Sequence, residues 1–175
     1  MTIAIYPATF DPITYGHVDI ATRAASMFEK LIVAVYDRPL KNLLFSPEER
    51  WTMVSQALQH LSNVEVKLYH GLTAEFARQC GARVIVRGLR ALSDFEWEFQ
   101  LALTNRRLSP DIDTVCLMAS QEFSFLSSSV VKEVAMHSGK VDELAPPHVV
   151  EALRQRFQSL GTDGGGKVSL VSLRD

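Results

Sequence analysis

Short apolar runs alternate along the chain with longer amphipathic stretches. Residues 3–6 (IAIY), 31–36 (LIVAVY), 64–68, 84–86 and 114–118 have the β-branched, apolar character of strands. The unbroken run at 31–36 is what a strand covered on both faces requires. The segments between them carry helical spacing. Over 16–28, Val18, Ile20 and Ala21 are followed by Ala24, Ala25 and Phe28. Ser46, Pro47 and Glu49 combine a cap, a first-turn proline and a capping box, predicting a helix to about Leu61. Ser93 and Glu96 repeat the capping-box spacing and predict a second helix to about Leu108, stopped before Pro110. Shorter helices are predicted over 73–80 and 128–138, and a last one following Pro146-Pro147, to about Phe157.

Strand and helix alternate with no succession of hairpin signals, which argues for an α/β protein with a parallel sheet. Right-handed crossovers then lead to a Rossmann-like, doubly wound sheet of about five strands with helices on both faces. A (β/α)8 barrel needs about 250 residues, and this chain has 175. Residues 1–160 read as one domain. The stretch 161–166 (GTDGGG) opens a glycine-rich tail, 161–175, expected to be flexible.

Composition narrows the classes. Hydrophobic residues make up 47% and charged residues 22%, so a packed core is expected rather than disorder. A formal net charge of −2 argues against a nucleic-acid partner. Cys80 and Cys116 have no metal-ligand spacing and read as free thiols, consistent with a reducing cytoplasm. No apolar run approaches the ~20 residues that span a bilayer, and the first residues lack the basic start of a signal peptide.

In sheets of this kind ligands bind beyond the carboxyl ends of the strands, so the residues following each strand are the candidates. After the first strand, Thr14 and His17 lie three apart at a helix start, with Gly16 between them. The free N–H groups there favour phosphate, and His17 can add donors and positive charge. A plain helix cap with a half-buried histidine is the competing reading. After the fourth strand, Arg87 and Arg90 flank Gly88 and Leu89. They suit phosphate oxygens, or they are surface arginines satisfied by Asp94, Glu96 or Glu98. After the fifth strand come Ser127, Ser128 and Ser129, which form a second anion site or an ordinary cap. Lys41 follows the second strand and is the remaining basic candidate.

Three stretches together, TFDPITYGH, RGLRALSDFEWE and FSFLSSSVVK, resemble the bacterial phosphopantetheine adenylyltransferases, members of the nucleotidyltransferase superfamily marked by a (T/H)xGH motif. The resemblance runs from about Ile3 to Phe157. It implies adenylyl transfer from ATP to 4′-phosphopantetheine late in coenzyme A synthesis, with Mg2+, in a cytoplasmic homohexamer. It implies that Thr9 and His17 face the reacting phosphates, with Lys41 and Arg90 completing the catalytic set. It implies that Lys41, Thr73 and Arg87 hold phosphopantetheine together with Thr9. Phe10, Gly88, Leu89, Arg90, Glu98, Phe123, Ser124, Phe125, Leu126, Ser127, Ser128 and Ser129 would line the ATP site. The chain departs from the family pattern at Ala8, where glycine is usual, at Tyr15, where asparagine is usual, and at Phe123, where tryptophan is frequent. Ala8 would tighten the turn if that position requires a positive φ. A phosphate nucleophile is already ionised at neutral pH, so no general base is expected. Leu101, Leu103 and Leu108 lie on the helix after RGLR, and one face of it is expected to meet a neighbouring subunit.

Overall fold

The computed structural model describes residues 2–39 and 43–162. Lys41 and most of the glycine-rich tail lie outside the described residues. The elements run β1 (Ile3–Ala8), α1 (Tyr15–Met27), β2 (Lys30–Tyr36), α2 (Pro47–Leu58), β3 (Val64–Tyr69), α3 (Thr73–Gln79), β4 (Val84–Leu89), α4 (Leu92–Leu108), β5 (Asp113–Met118), a 3-10 turn (Gln121–Phe123), α5 (Ser128–Met136) and α6 (Pro147–Thr162). The five strands form one parallel sheet in the order β3-β2-β1-β4-β5, so the topological switch falls between β1 and β4. This is the doubly wound architecture expected from the alternation of apolar runs.

The sheet has two unequal faces. Leu31, Val33, Val35, Ala4, Tyr6 and Val86 meet residues of α1, α2, α5 and α6 in the larger core. Ile5 aligns with Ile32 and Ile85 across three strands, and these isoleucines pack with Ala77, Ala82 and Ile112 in a smaller core on the opposite face. Burial on both faces explains why β2 is apolar without interruption.

Side-chain capping accounts for the starts of α1, α2 and α5. Ser46 accepts from the Glu49 N–H at 3.2 Å while the Glu49 carboxylate accepts from the Ser46 N–H at 2.7 Å, with Pro47 at the first position. The second capping box does not form as its spacing predicts. α4 begins at Leu92, its N-cap is Ala91, and no side chain caps it. Asp94 instead accepts from the Arg90 N–H at 3.0 Å and from the Arg90 guanidinium, which ties the helix start back to the end of β4. α6 runs to Thr162, two residues past the domain boundary read from the sequence. Along α4, Phe95, Trp97, Phe99, Leu103 and Leu108 are exposed, and the Phe95 and Phe99 rings stack with centroids 5.8 Å apart.

Candidate active site

A cavity of about 810 Å3 opens at the carboxyl ends of β1, β2 and β4, at the switch point of the sheet. The N-termini of α1 and α5 both face it. Thr9, Phe10, His17, Arg87, Gly88, Arg90, Glu98, Phe123, Leu126, Ser127, Ser128 and Ser129 line it together. Residues from three separate stretches of sequence thus converge on one space.

α1 begins with a capping box of unusual composition. The Thr14 hydroxyl accepts from the His17 N–H at 3.4 Å, and His17 Nδ1 accepts from the Thr14 N–H at 3.0 Å. The role is normally filled by Glu or Gln. A backbone N–H can only donate, so Nδ1 is unprotonated and the imidazole carries its proton on Nε2. With Nδ1 accepting from Thr14, the ring donor that His17 brings to the cavity is Nε2–H. Both the capping role and the cavity-facing role are realised by one side chain. The Phe10 ring meets the imidazole edge-on at 5.1 Å and fixes its tilt.

The serines divide their work. Ser127 caps α5 by accepting from the Val130 N–H at 3.1 Å. Ser128 donates to the Pro12 carbonyl at 2.8 Å and fastens α5 to the β1–α1 loop. Ser129 lines the cavity beside them, at a helix end whose first N–H groups have no intrahelical acceptor. A second fastening is the buried ion pair between Lys132 Nζ and Asp11 at 2.8 Å. Asp11, 2% exposed, also accepts from the Leu44 and Phe45 N–H groups, each at 3.0 Å.

Both arginines are held by acids. Arg87 makes a two-pronged pair with Glu98, 2.6 and 2.7 Å, and donates a third bond to the Pro7 carbonyl at 2.7 Å. Burial is the largest single influence on Arg87 and works against its charge, but the hydrogen bonds and the charge of Glu98 together outweigh it and raise the arginine pKa. Arg90 pairs with Asp94 at 3.2 Å. Burial alone would push Asp94 up, but its bonds from the Arg90 guanidinium and N–H hold the carboxyl below the usual range. Burial raises the Tyr6 phenol pKa far above its usual value, so the hydroxyl on the cavity wall stays neutral.

Four expected contacts are not made at this cavity. Leu89 is buried, and its carbonyl accepts from the Ala119 N–H at 2.7 Å. Ser124 turns back to the Gln121 carbonyl and Phe125 is exposed, because 121–123 forms a tight 3-10 turn that directs only Phe123 and Leu126 inward. Thr73 lines a smaller recess of about 60 Å3 behind Arg87 and Glu98, and its hydroxyl pairs with Tyr69 at 3.1 Å. Ala8 ends β1 without a positive φ. The left-handed residue is Phe10, φ 53°, so the alanine introduces no backbone strain.

The sequence reading missed Asp11, Tyr36, Trp97 and Glu133 on the cavity wall, and gave Lys132 no role. Helical spacing carried part of the signal. Asp94, Trp97, Glu98 and Leu101 form one face of α4, and Ser128 and Lys132 share a face of α5.

Residues 5–134 match the family model described as cytidylyltransferase-like, so fold, cavity and motif define a nucleotidyltransferase. A relative from Herpetosiphon aurantiacus, named phosphopantetheine adenylyltransferase, is 52% identical over 91% of this chain and 96% of its own length. One of the same name from Thermomicrobium roseum is 54% identical over 90% of this chain and 96% of its own. The chain belongs to the phosphopantetheine adenylyltransferase family. Among solved structures, nicotinic acid mononucleotide adenylyltransferase of Plasmodium falciparum shares the fold, with a TM-score of 0.65 at 15% identity over 88% of this chain and 95% of that one.

Proposed function

We propose that the chain transfers an adenylyl group reversibly from ATP to 4′-phosphopantetheine, forming dephospho-coenzyme A and pyrophosphate. The observation that carries this reading is the convergence on one cavity of the His17 donor, two helix N-termini, Arg87, Arg90 and Lys132. A phosphate oxygen of the acceptor attacks the α-phosphorus in line, and pyrophosphate leaves with its electron pair. The nucleophile is already ionised, so no general base is needed. His17 Nε2–H donates to the α-phosphate oxygen as charge builds there. Arg90, Ser129 and the start of α5 hold the β- and γ-phosphates. Thr9, Arg87 and Lys41 hold the acceptor phosphate, with Thr73 deeper along the same arm. Alignment of two bound polyanions is worth roughly 7–11 kcal/mol in favourable cases.

Mg2+ enters this reading with ATP, as part of the substrate. No group of three His, Cys, Asp or Glu side chains stands together to hold a metal among the described residues. Asp11, Asp94 and Glu98, all on the cavity wall, are each engaged by a basic side chain. No step of the transfer is drawn through a metal held by the protein.

Pyrophosphate release from ATP that depends on 4′-phosphopantetheine tests the function. Release driven instead by a mononucleotide would favour a related adenylyltransferase. The half-sites are tested by titration. Arg87→Ala and Lys41→Ala are expected to weaken phosphopantetheine by about tenfold to a hundredfold, since hydrogen bonds to charged groups contribute roughly 1.5–3 kcal/mol. ATP binding should change much less. A selective loss of ATP binding would mean that the half-sites are exchanged.

The reading includes a homohexamer in the cytoplasm. The exposed Phe95, Trp97, Phe99 and Leu103 of α4 support assembly, because an apolar row of that extent favours burial against a second copy. Light scattering is expected to return six times the chain mass, and Leu103→Glu to lower it. A monomeric mass for the parent would remove the assembly from the reading. Among the described residues, no helix is long and apolar enough to cross a membrane.

A further inference from the structure

Among the described residues, the largest fully buried side chain is a cation that adenylyl transfer as drawn above does not use. Arg50, on α2, is 0% exposed. Its hydrogen bonds go to main-chain carbonyls: Nε to Phe45 at 3.2 Å, Nη1 to Thr9 at 2.6 Å and to Tyr36 at 2.7 Å, and Nη2 to Asp37 at 3.4 Å. Burial pushes its pKa below the ordinary arginine value, with Asp11, Asp37 and Glu48 offsetting this through space. The guanidinium nonetheless stays charged. An apolar side chain would fill this position without the cost of desolvating a charge.

The four carbonyls belong to the segments that end on the cavity. Thr9 follows β1, Tyr36 and Asp37 end β2, and Phe45 precedes α2. Thr9 and Phe10 line the cavity and Arg50 does not. In a planar trans peptide the carbonyl and the following N–H point in opposite directions. With the Thr9 carbonyl drawn onto Arg50, the Phe10 N–H is turned the other way. Among the described residues no main-chain carbonyl accepts it. Phe10 also has φ 53°, a conformation that costs a non-glycine residue about 1–3 kcal/mol and persists only where the surroundings impose it. A main-chain N–H at a left-handed residue is a component of anion-binding concavities.

We infer that Arg50 is a positioning residue for the transfer. Its fork fixes the Thr9–Phe10 peptide so that the Phe10 N–H is presented to a phosphate oxygen of the nucleotide, while Arg50 itself touches no substrate. The inference rests on the adenylyl-transfer reading. It separates the role of the fork from that of the charge, because lysine supplies the charge without the planar set of donors.

Arg50→Lys tests it, with kcat counted per folded molecule and with ATP and phosphopantetheine affinities measured directly. The variant is expected to keep both affinities within about threefold and to lose kcat by about tenfold or more, as when a donor strengthened in the transition state is displaced. Hydrogen exchange at the Phe10 amide should be slowed by ATP in the parent and not in the variant. A kcat per folded molecule within threefold of the parent would overturn the inference and leave Arg50 a structural residue. If Arg50→Lys does not fold, the parent decides: a Phe10 amide whose exchange ATP leaves unchanged overturns it. A parent that releases no pyrophosphate from ATP and phosphopantetheine sinks the functional reading instead, a result distinct from either of these.

Discussion

Replacing His17 with alanine is expected to lower kcat by about two to three powers of ten, the usual effect of losing one preorganised donor to a developing oxyanion. The substrate affinities should change far less, because a bond that strengthens in the transition state contributes little to ground-state binding. The variant also loses half of the capping box at the start of α1. A lost cap costs about 1 kcal/mol, so a melting temperature lower by a few degrees is expected alongside the kinetic effect. The two losses can be separated by measuring kcat well below the unfolding transition. Turnover within a few-fold of the parent would take His17 out of the chemistry and leave it only its capping role.

Asp11→Ala is expected to have the largest effect on stability. It removes the acceptor of two main-chain N–H groups and leaves the Lys132 ammonium, whose side chain is 14% exposed, without its carboxylate. Breaking a buried pair from one side costs about 3–5 kcal/mol, or a melting temperature lower by on the order of 10 °C in a chain of this size. Adding Lys132→Met to Asp11→Ala should restore part of the loss, because the uncompensated charge is then gone. Thermal unfolding of the two single variants and the double variant decides this. Strict additivity would show that the pair has no energetic coupling.

The architecture was legible because periodicity and punctuation agree. An apolar run such as 31–36 can only be a covered strand, and Ser46-Pro47-Glu48-Glu49 can only start a helix in one register. The misread start at Ser93 has a physical source. Asp94 lies inside the capping-box pattern of Ser93 and Glu96 but bonds backwards to Arg90, four positions earlier, and the tertiary demand of the strand end prevailed. Of the site, the residues in compact motifs were legible: TxGH, RGLR and the serines. What escaped was whatever depends on long-range pairing. Asp11 meets Lys132 across 121 positions, and Arg50 meets Thr9 across 41. No local pattern announces either. The role of each serine was equally hidden, because a cap, a tether and a cavity-lining hydroxyl use the same residue type. The protonation of His17 needed the Thr14 contact as well, since spacing shows that the two residues meet but not which nitrogen accepts.

The strand order also dictates when the protein becomes competent during synthesis. β1, β2 and β3 are consecutive both in the chain and in the sheet, so this half can pair as it emerges from the ribosome. β4 must then return to lie against β1, joining Ile85 to Ile5. That closure is costly in chain entropy and is reached late. Thr9 and His17 belong to the early half, whereas Gly88, Arg90 and Ser129 arrive with or after the closing strand. A nascent chain can thus hold half of an anion site without being able to grip ATP. The nucleotide, by bridging the two halves, favours the closed sheet over the open one.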